Sequence, residues 1–397
     1  MSKAVVVGTG VTTFGKAAGR TVRTMADEAA RSALADAGVD KDQVQRIFFG
    51  NAAGGLITGQ EMIRGQVALR DMGFGNVGLI NVENACATGS TAFHLGVMAI
   101  EAGQADLVLV VGAEKLTHED KSRSFAALKA GADIERLGEL EEDLYGEGRP
   151  VPQDRSLFMD IYADMARRYA EHSGATASDY AQVAVKSHDH AVHNPIAQFR
   201  EPVTVERVLG SRAVSGPLTL MMCSPIGDGA AALVLASEER ARGLGADAVS
   251  VAACCIASGL GEQEEPCVTA ARAAYEQSGF GPTDLDVIEV HDAAAPAELI
   301  LYEDLSLCSP GDGPKLLASG DTRIGGRIPV NPSGGLISRG HPVGATGCAQ
   351  LVELCDQLRG RTGARQVEGA RVALAENGGG FLRHNAAAAT ITILSKG

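Results

Sequence analysis

Short apolar runs closed by glycine or polar residues alternate with segments of helical spacing along most of the chain. "AVVVGTG" (4–10) and "QRIFFGN" (45–51) read as buried strands. "DLVLVVGAEK" (106–115) is apolar throughout, as in a strand covered on both faces. Between them, "TVRTMADEAARSALADAG" (21–38) repeats apolar residues at Met25, Ala29, Ala33 and Leu34 and stops at Gly38, which predicts a helix. From about 116 to 222 the texture becomes richer in charge and histidine. This part includes "GADIERLGELEEDLYGEGRPVPQD" and one clear helix over 160–174. Regular texture resumes at "SPIGDGAAALVLAS" (224–237), where Asp228 reads as part of a turn entering a strand.

The second half repeats the first. Strands are predicted over 247–259, 284–293, 371–380 and 386–395, with a helix over 269–279 stopped by Gly279. "CATGSTA" (86–92) matches "GATGCAQ" (344–350), and each opens an amphipathic helix followed by an apolar strand. Strand–helix alternation predicts an α/β fold. It divides into one half formed by 1–115 and 223–245, an inserted domain at 116–222, and a second half at 246–397.

Composition narrows the classes. The 397 residues are 45% hydrophobic, enough for a large core, and glycine is abundant at 49 residues. The net charge of −14 and the lack of a basic block argue against a nucleic-acid partner. An acidic surface repels a polyanion unless a local basic patch or a partner protein receives it. Eight scattered cysteines without a CxxC pair suit a reducing compartment. The apolar run after Lys3 is too short for a signal peptide, and no run is long enough to span a membrane, so a cytoplasmic location is expected.

Four short motifs carry candidate chemistry. Cys86 lies at the start of a small-residue helix, where free N–H groups favour a thiolate; a packed core cysteine is the plainer alternative. His341, in "NPSGGLISRGHPVGATG" (331–347), is set between Gly340 and a Pro342 able to open the duplicate helix. If the two helix starts face each other, imidazole and thiol pair as base and nucleophile. Otherwise His341 is a solvated turn residue. His291, with Asp292, ends a predicted strand and can donate to a developing enolate oxygen, or simply cap the strand. "ENGGGFL" (376–382) offers glycine N–H groups to an oxyanion, or is a plain hairpin turn. "SHDHAVHNP" (187–195) clusters His188, His190 and His193, but their spacing does not place all three on one helix face, and no metal site is expected.

Taken together, "VENACATGS", "HNPIAQFR", "PLTLMMCSPIGDGAAALVLAS", "VHDA", "NPSGGLISRGHPVGATG" and "NGGG" resemble the thiolase superfamily nearly end to end. The nearest resemblance is to sterol-carrier-protein-type thiolases and bacterial thiolase-like acyltransferases and aldolases. It implies two duplicated halves in five αβαβα layers with an inserted loop domain, and a homodimer. It implies that Cys86 carries the acyl group, His341 activates it, and His291 holds the thioester oxygen. The N–H groups of Cys86 and Gly380 would form a second oxyanion hole. The implied reaction is thiolysis of a 3-oxoacyl-CoA, with coenzyme A as co-substrate and no bound cofactor.

Two departures stand out. The second reactive cysteine of these enzymes is missing: the positions read for it hold Asn377, in the glycine motif, and Ala293, after His-Asp. Asn377 is therefore assigned a proton or positioning role at the α-carbon, with His291, His341 or water as sources of the proton. The departures favour a branched or aromatic acyl group. They also keep open a retro-aldolase acting on a 3-hydroxyacyl-CoA, or a non-catalytic subunit. Relatives with bulky substrates bind a small zinc-ribbon/OB-fold protein, which implies a possible heterotetramer.

Overall fold

The computed structural model describes residues 3–16, 18–146, 156–260, 264–382 and 385–396. Positions 147–154 of the charge-rich segment lie outside them. Among the described residues there are eleven strands: β1 Ala4–Val11, β2 Arg46–Gly50, β3 Gly78–Val82, β4 Leu107–Glu114, β5 Ala213–Ser215, β6 Leu218–Thr219, β7 Gly229–Ser237, β8 Val249–Ser258, β9 Val287–Glu289, β10 Val372–Leu382 and β11 Asn385–Ser395. Nine of them form a mixed sheet in the order β3-β2-β4-β7-β1-β8-β11-β10-β9, while β5 and β6 pair separately.

This order contains the duplication. In the first half β2 runs parallel to β3 and β4, and β7 runs antiparallel to β4 and β1. In the second half β9 runs parallel to β10, and β11 runs antiparallel to β10 and β8. A parallel bridge from Ile288 to Val330 stands where the first half has β3. Within the sheet, among the described residues, the halves join through two residue pairs, Val5 with Ser250 and Val6 with Val249.

Strand periodicity builds the layers, since neighbouring side chains point to opposite faces. On β4, Val108 and Val110 face the helix Thr88–Glu101, whereas Leu107, Leu109 and Val111 face the helix Val22–Ala37. On β10, Ala373 and Ala375 face the helix Thr346–Leu358, and Leu374 faces outward toward the helices Ala177–Ala191, Pro266–Ser278 and Ala295–Asp304. The succession is helix, sheet, paired central helices, sheet, helix. The predicted helix over 21–38 is observed as Val22–Ala37, capped by Thr21 and ended by Gly38 in the left-handed conformation.

The central helices approach closely because both carry glycine at the crossing. A Cβ on Gly89 would stand 2.9 Å from the Cys348 nitrogen, and one on Gly347 would stand 2.5 Å from the Ser90 nitrogen. The two matched ATG strings are thus the contact that brings the two helix starts together.

Candidate active site

Both helix starts are built alike. A tight turn, Ala85–Ala87, leads into Thr88–Glu101, and a second, Val343–Ala345, leads into Thr346–Leu358. Ala85 holds φ at 47°, a left-handed conformation that costs a residue with a Cβ about 1–3 kcal/mol. Its N–H donates to Glu83 and its carbonyl accepts from Thr88, so local bonds hold the strained turn. Cys86 follows it and faces the cavity. Gly340 takes φ 110°, and Pro342 sits just ahead of the second turn rather than inside it.

The reactive atoms of Cys86, His291 and His341 all lie within 4.8 Å of one another. The imidazoles of His291 and His341 meet edge to face, with centroids 5.1 Å apart. The Thr346 hydroxyl spends its proton on the Pro342 carbonyl at 3.1 Å, so it accepts from His341 Nδ1 at 2.7 Å. His341 is thereby held as the tautomer with a free lone pair on Nε2. Burial keeps this ring neutral, its pKa pushed well below the ordinary histidine value, with the neighbouring His291 and Arg339 acting in the same direction. Burial also lowers His291, to about 4. Its Nε2 is buried without a partner among the described residues, which leaves it available to a substrate oxygen.

The thiol departs from the expectation of a resting thiolate. Burial pushes Cys86 up to about 12, outweighing the N–H groups of Gly380 and Cys86 itself, which point at the sulfur and favour the anion. The helix start therefore supplies aimed donors, and the proton must leave with the help of a base. Those two N–H groups are the pair expected to form an oxyanion hole. The glycine motif is not a hairpin turn: Gly378, Gly379 and Gly380 lie within β10. A Cβ on Gly379 would stand 2.5 Å from the Ala87 nitrogen, so only glycine lets the strand press against the nucleophile turn.

Buried polar groups fix the loop bearing His341. Glu114 accepts from the N–H groups of Ala52, Ala53 and, across the halves, Gly344 at 3.0 Å. Burial raises its carboxyl to about 7. Arg339 pairs with Glu289 at 2.9 Å with both side chains fully buried. Asp292 accepts from the Leu336 N–H at 2.6 Å.

The structure places Asn377 differently from its assigned role at the α-carbon. With odd positions of β10 turned to the central helices, Asn377 accepts from the Ser90 hydroxyl at 2.8 Å and does not line the cavity. Its neighbour Glu376 takes the cavity face and accepts from the His291 N–H at 2.8 Å. Strand alternation at a fixed register was the only signal that could separate the two. Ala293 lines the cavity as well. His188 and His190 bond to the carbonyls of Glu201 and Asn331 at 2.9 Å, away from the site.

Comparison with known proteins agrees with this architecture. The family description "Thiolase, N-terminal domain" matches residues 4–239, and "Thiolase C-terminal domain-like" matches 257–396. An acetyl-CoA acetyltransferase of Methanothermobacter thermautotrophicus is 39% identical over 388 residues, covering 96% of this chain and 97% of its own. The benzoylsuccinyl-CoA thiolase subunit BbsB of Thauera aromatica is 37% identical, covering 96% of each chain. Sterol carrier protein 2 of Homo sapiens is 38% identical, covering 95% of this chain and 70% of its own. A solved structure described as "Ltp2-ChsH2(DUF35) aldolase" superposes with a TM-score of 0.78 at 26% identity, covering 99% of this chain and 97% of that one. The chain belongs to the thiolase family.

Proposed function

We propose that the protein cleaves a 3-oxoacyl-CoA with coenzyme A through an acyl group carried on Cys86. It is an acyl-CoA acyltransferase of the thiolase family. The observation that carries the reading is the meeting of Cys86, His341 and His291 within 4.8 Å, with His341 Nε2 free to take a proton. As the sulfur attacks the 3-keto carbon, His341 takes the thiol proton. The tetrahedral oxyanion accepts from the N–H groups of Cys86 and Gly380. The bond between C2 and C3 breaks, and the enolate oxygen of the departing thioester accepts from His291 Nε2. Coenzyme A then receives the acyl group from Cys86.

The cavity supports a bulky acyl group. Its volume is about 1940 Å³, and Phe125, Phe158, Met159, Tyr162 and Phe381 contribute to its walls. The name of the Thauera aromatica relative speaks of an aromatic substrate for that protein, and an aromatic or branched substrate is the reading adopted for this one. Lys16, Arg20, Lys121 and Arg212 also line the cavity and offer positive charge to the coenzyme A phosphates on a chain of net charge −14.

The same reading includes a homodimer through the exposed sheet edge β3, and a cytoplasmic location. Among the described residues no helix is long and apolar enough to cross a membrane. A small zinc-ribbon/OB-fold partner is supported by two names: the aldolase structure pairs Ltp2 with ChsH2(DUF35), and BbsB is called a subunit. The likeness to that aldolase keeps retro-aldol cleavage as the second reading. The intact Cys86, paired with an unprotonated His341 nitrogen, favours acyl transfer.

The test is a panel of 3-oxoacyl-CoA and 3-hydroxyacyl-CoA thioesters, each with and without coenzyme A, with products identified by mass. CoA-dependent cleavage of a 3-oxoacyl-CoA and a mass adduct on Cys86 support the proposal. Cleavage of a 3-hydroxyacyl-CoA without added coenzyme A, and no adduct, would replace it with the lyase.

A further inference from the structure

Cleavage of the C2–C3 bond leaves an electron pair on C2 that must be protonated, and neither histidine is suited to that task. His341 receives the Cys86 proton, and His291 is occupied by the enolate oxygen. Asn377 faces the central helices and carries no exchangeable acid. The cavity wall still contains the carboxyls of Glu265, Asp304 and Glu376 and the thiol of Cys267.

Of these, Glu376 is joined to the reacting groups. Its carboxylate accepts from the backbone N–H of His291, the residue that holds the enolate oxygen. A Cβ on Gly378 would stand 3.5 Å from Glu376 Oε1 and 4.0 Å from His291 Nδ1, so a bare glycine separates the carboxyl from the imidazole. Burial, by contrast, opposes ionisation of Cys267, and the charges of Glu376, Asp304 and Glu265 act in the same direction.

We infer that Glu376 is the acid and base at the α-carbon, the catalytic residue that exchanges a proton with C2. The inference rests on the thiolase reading and deepens it. In the cleavage direction the Glu376 carboxylic acid gives its proton to C2 as the C2–C3 bond breaks, leaving a carboxylate. The His341 imidazolium and the Glu376 carboxylate are reset by proton exchange through water. His341 then takes the thiol proton of incoming coenzyme A, the new thiolate attacks the acyl carbon, Cys86 departs as thiolate, and His341 gives that proton to the Cys86 sulfur. Every proton is restored and no further reactant is consumed. Burial, helped by Asp304 and Glu265, raises the Glu376 carboxyl to about 8, which suits a group that must give and take a proton near neutrality.

Two measurements on wild type and Glu376→Gln separate this role from folding and from the parent reading. One is exchange of label between free coenzyme A and benzoyl-CoA, which needs Cys86 and His341 but no chemistry at C2. The other is incorporation of deuterium at C2 of acetyl-CoA and succinyl-CoA in deuterium oxide. The expected result is deuterium incorporation and carbon–carbon cleavage lowered about 100-fold or more in Glu376→Gln, with label exchange within about fivefold of wild type. Deuterium incorporation at the wild-type rate would overturn the inference, as would equal loss of both activities in a folded variant. Cys267→Ala is expected to keep both; selective loss of deuterium incorporation there would move the role to Cys267 and overturn it for Glu376. Wild-type enzyme inert in label exchange with every acyl-CoA of the panel would instead sink the thiolase reading.

Discussion

His341 donates Nδ1–H to Thr346 Oγ1 at 2.7 Å, and the threonine hydroxyl donates to the Pro342 carbonyl. One hydroxyl therefore decides which imidazole nitrogen can accept from Cys86. Thr346→Val keeps the shape and removes the acceptor. The expected outcome is acylation of Cys86 slowed by at least about tenfold with KM little changed, read by single-turnover acyl-enzyme formation. An unaltered rate would show that the tautomer is set elsewhere.

Cys86→Ala and His341→Ala address the same step from its two ends. Removing the sulfur abolishes the acyl adduct and thiolysis. Removing the imidazole lowers acylation about 10²- to 10⁴-fold, because the proton then has no placed acceptor. Intact-protein mass after a short incubation with substrate distinguishes the two.

Gly379 is pressed against the nucleophile turn, 2.5 Å from the Ala87 nitrogen by the position of a Cβ. Gly379→Ala is expected to destabilise the protein by about 1–3 kcal/mol and to slow acylation, since the turn must move to admit the methyl group. Urea unfolding and the acylation rate measure the two effects.

The cavity and interface carboxyls raised by burial include Glu114 and Asp304, to about 7, and Glu376, to about 8. A carboxyl with a raised folded value binds more protons folded than unfolded, so stability falls as pH rises from the unfolded value through the folded one. The depressed histidines His190, His291 and His341 oppose this slope only below their unfolded value of 6.5. Between pH 6.5 and 8.5 the carboxyls act without that opposition. The urea midpoint should fall over this interval, each group still protonated in the fold contributing about 1.4 kcal/mol per pH unit, and Glu376→Gln should flatten the fall. A midpoint that rises with pH would contradict the assignment.

The edge strand β3 leaves Ile80 46% exposed, near the sheet rim where an unpaired backbone can accept a second strand. Ile80→Lys is expected to shift a dimer toward monomer, measured by light scattering during size exclusion.

Much of this arrangement could be read from the chain. The matched ATG strings identified the two helix starts, and the glycines within them explain why those starts touch. Cys86 and His341 stand beside those strings, so the duplication was enough to place them opposite each other. Two features were not legible. The thiol's resting state depends on competition between burial and two aimed N–H groups, and spacing along a chain gives no measure of burial. Choosing between Glu376 and Asn377 requires the facing of β10, because a register error of one residue exchanges the two sides of a strand. The run of glycines that follows has no side chains with which to mark the faces.

The seam between the halves gives the chemistry a built-in safeguard. Nucleophile and base belong to different repeats, joined in the sheet by two residue pairs and braced by the bond from Gly344 to Glu114. A newly made or partly unfolded chain can own a finished helix start yet have no working partner for it. Reactivity toward thioesters thus arrives only when the two halves are packed together.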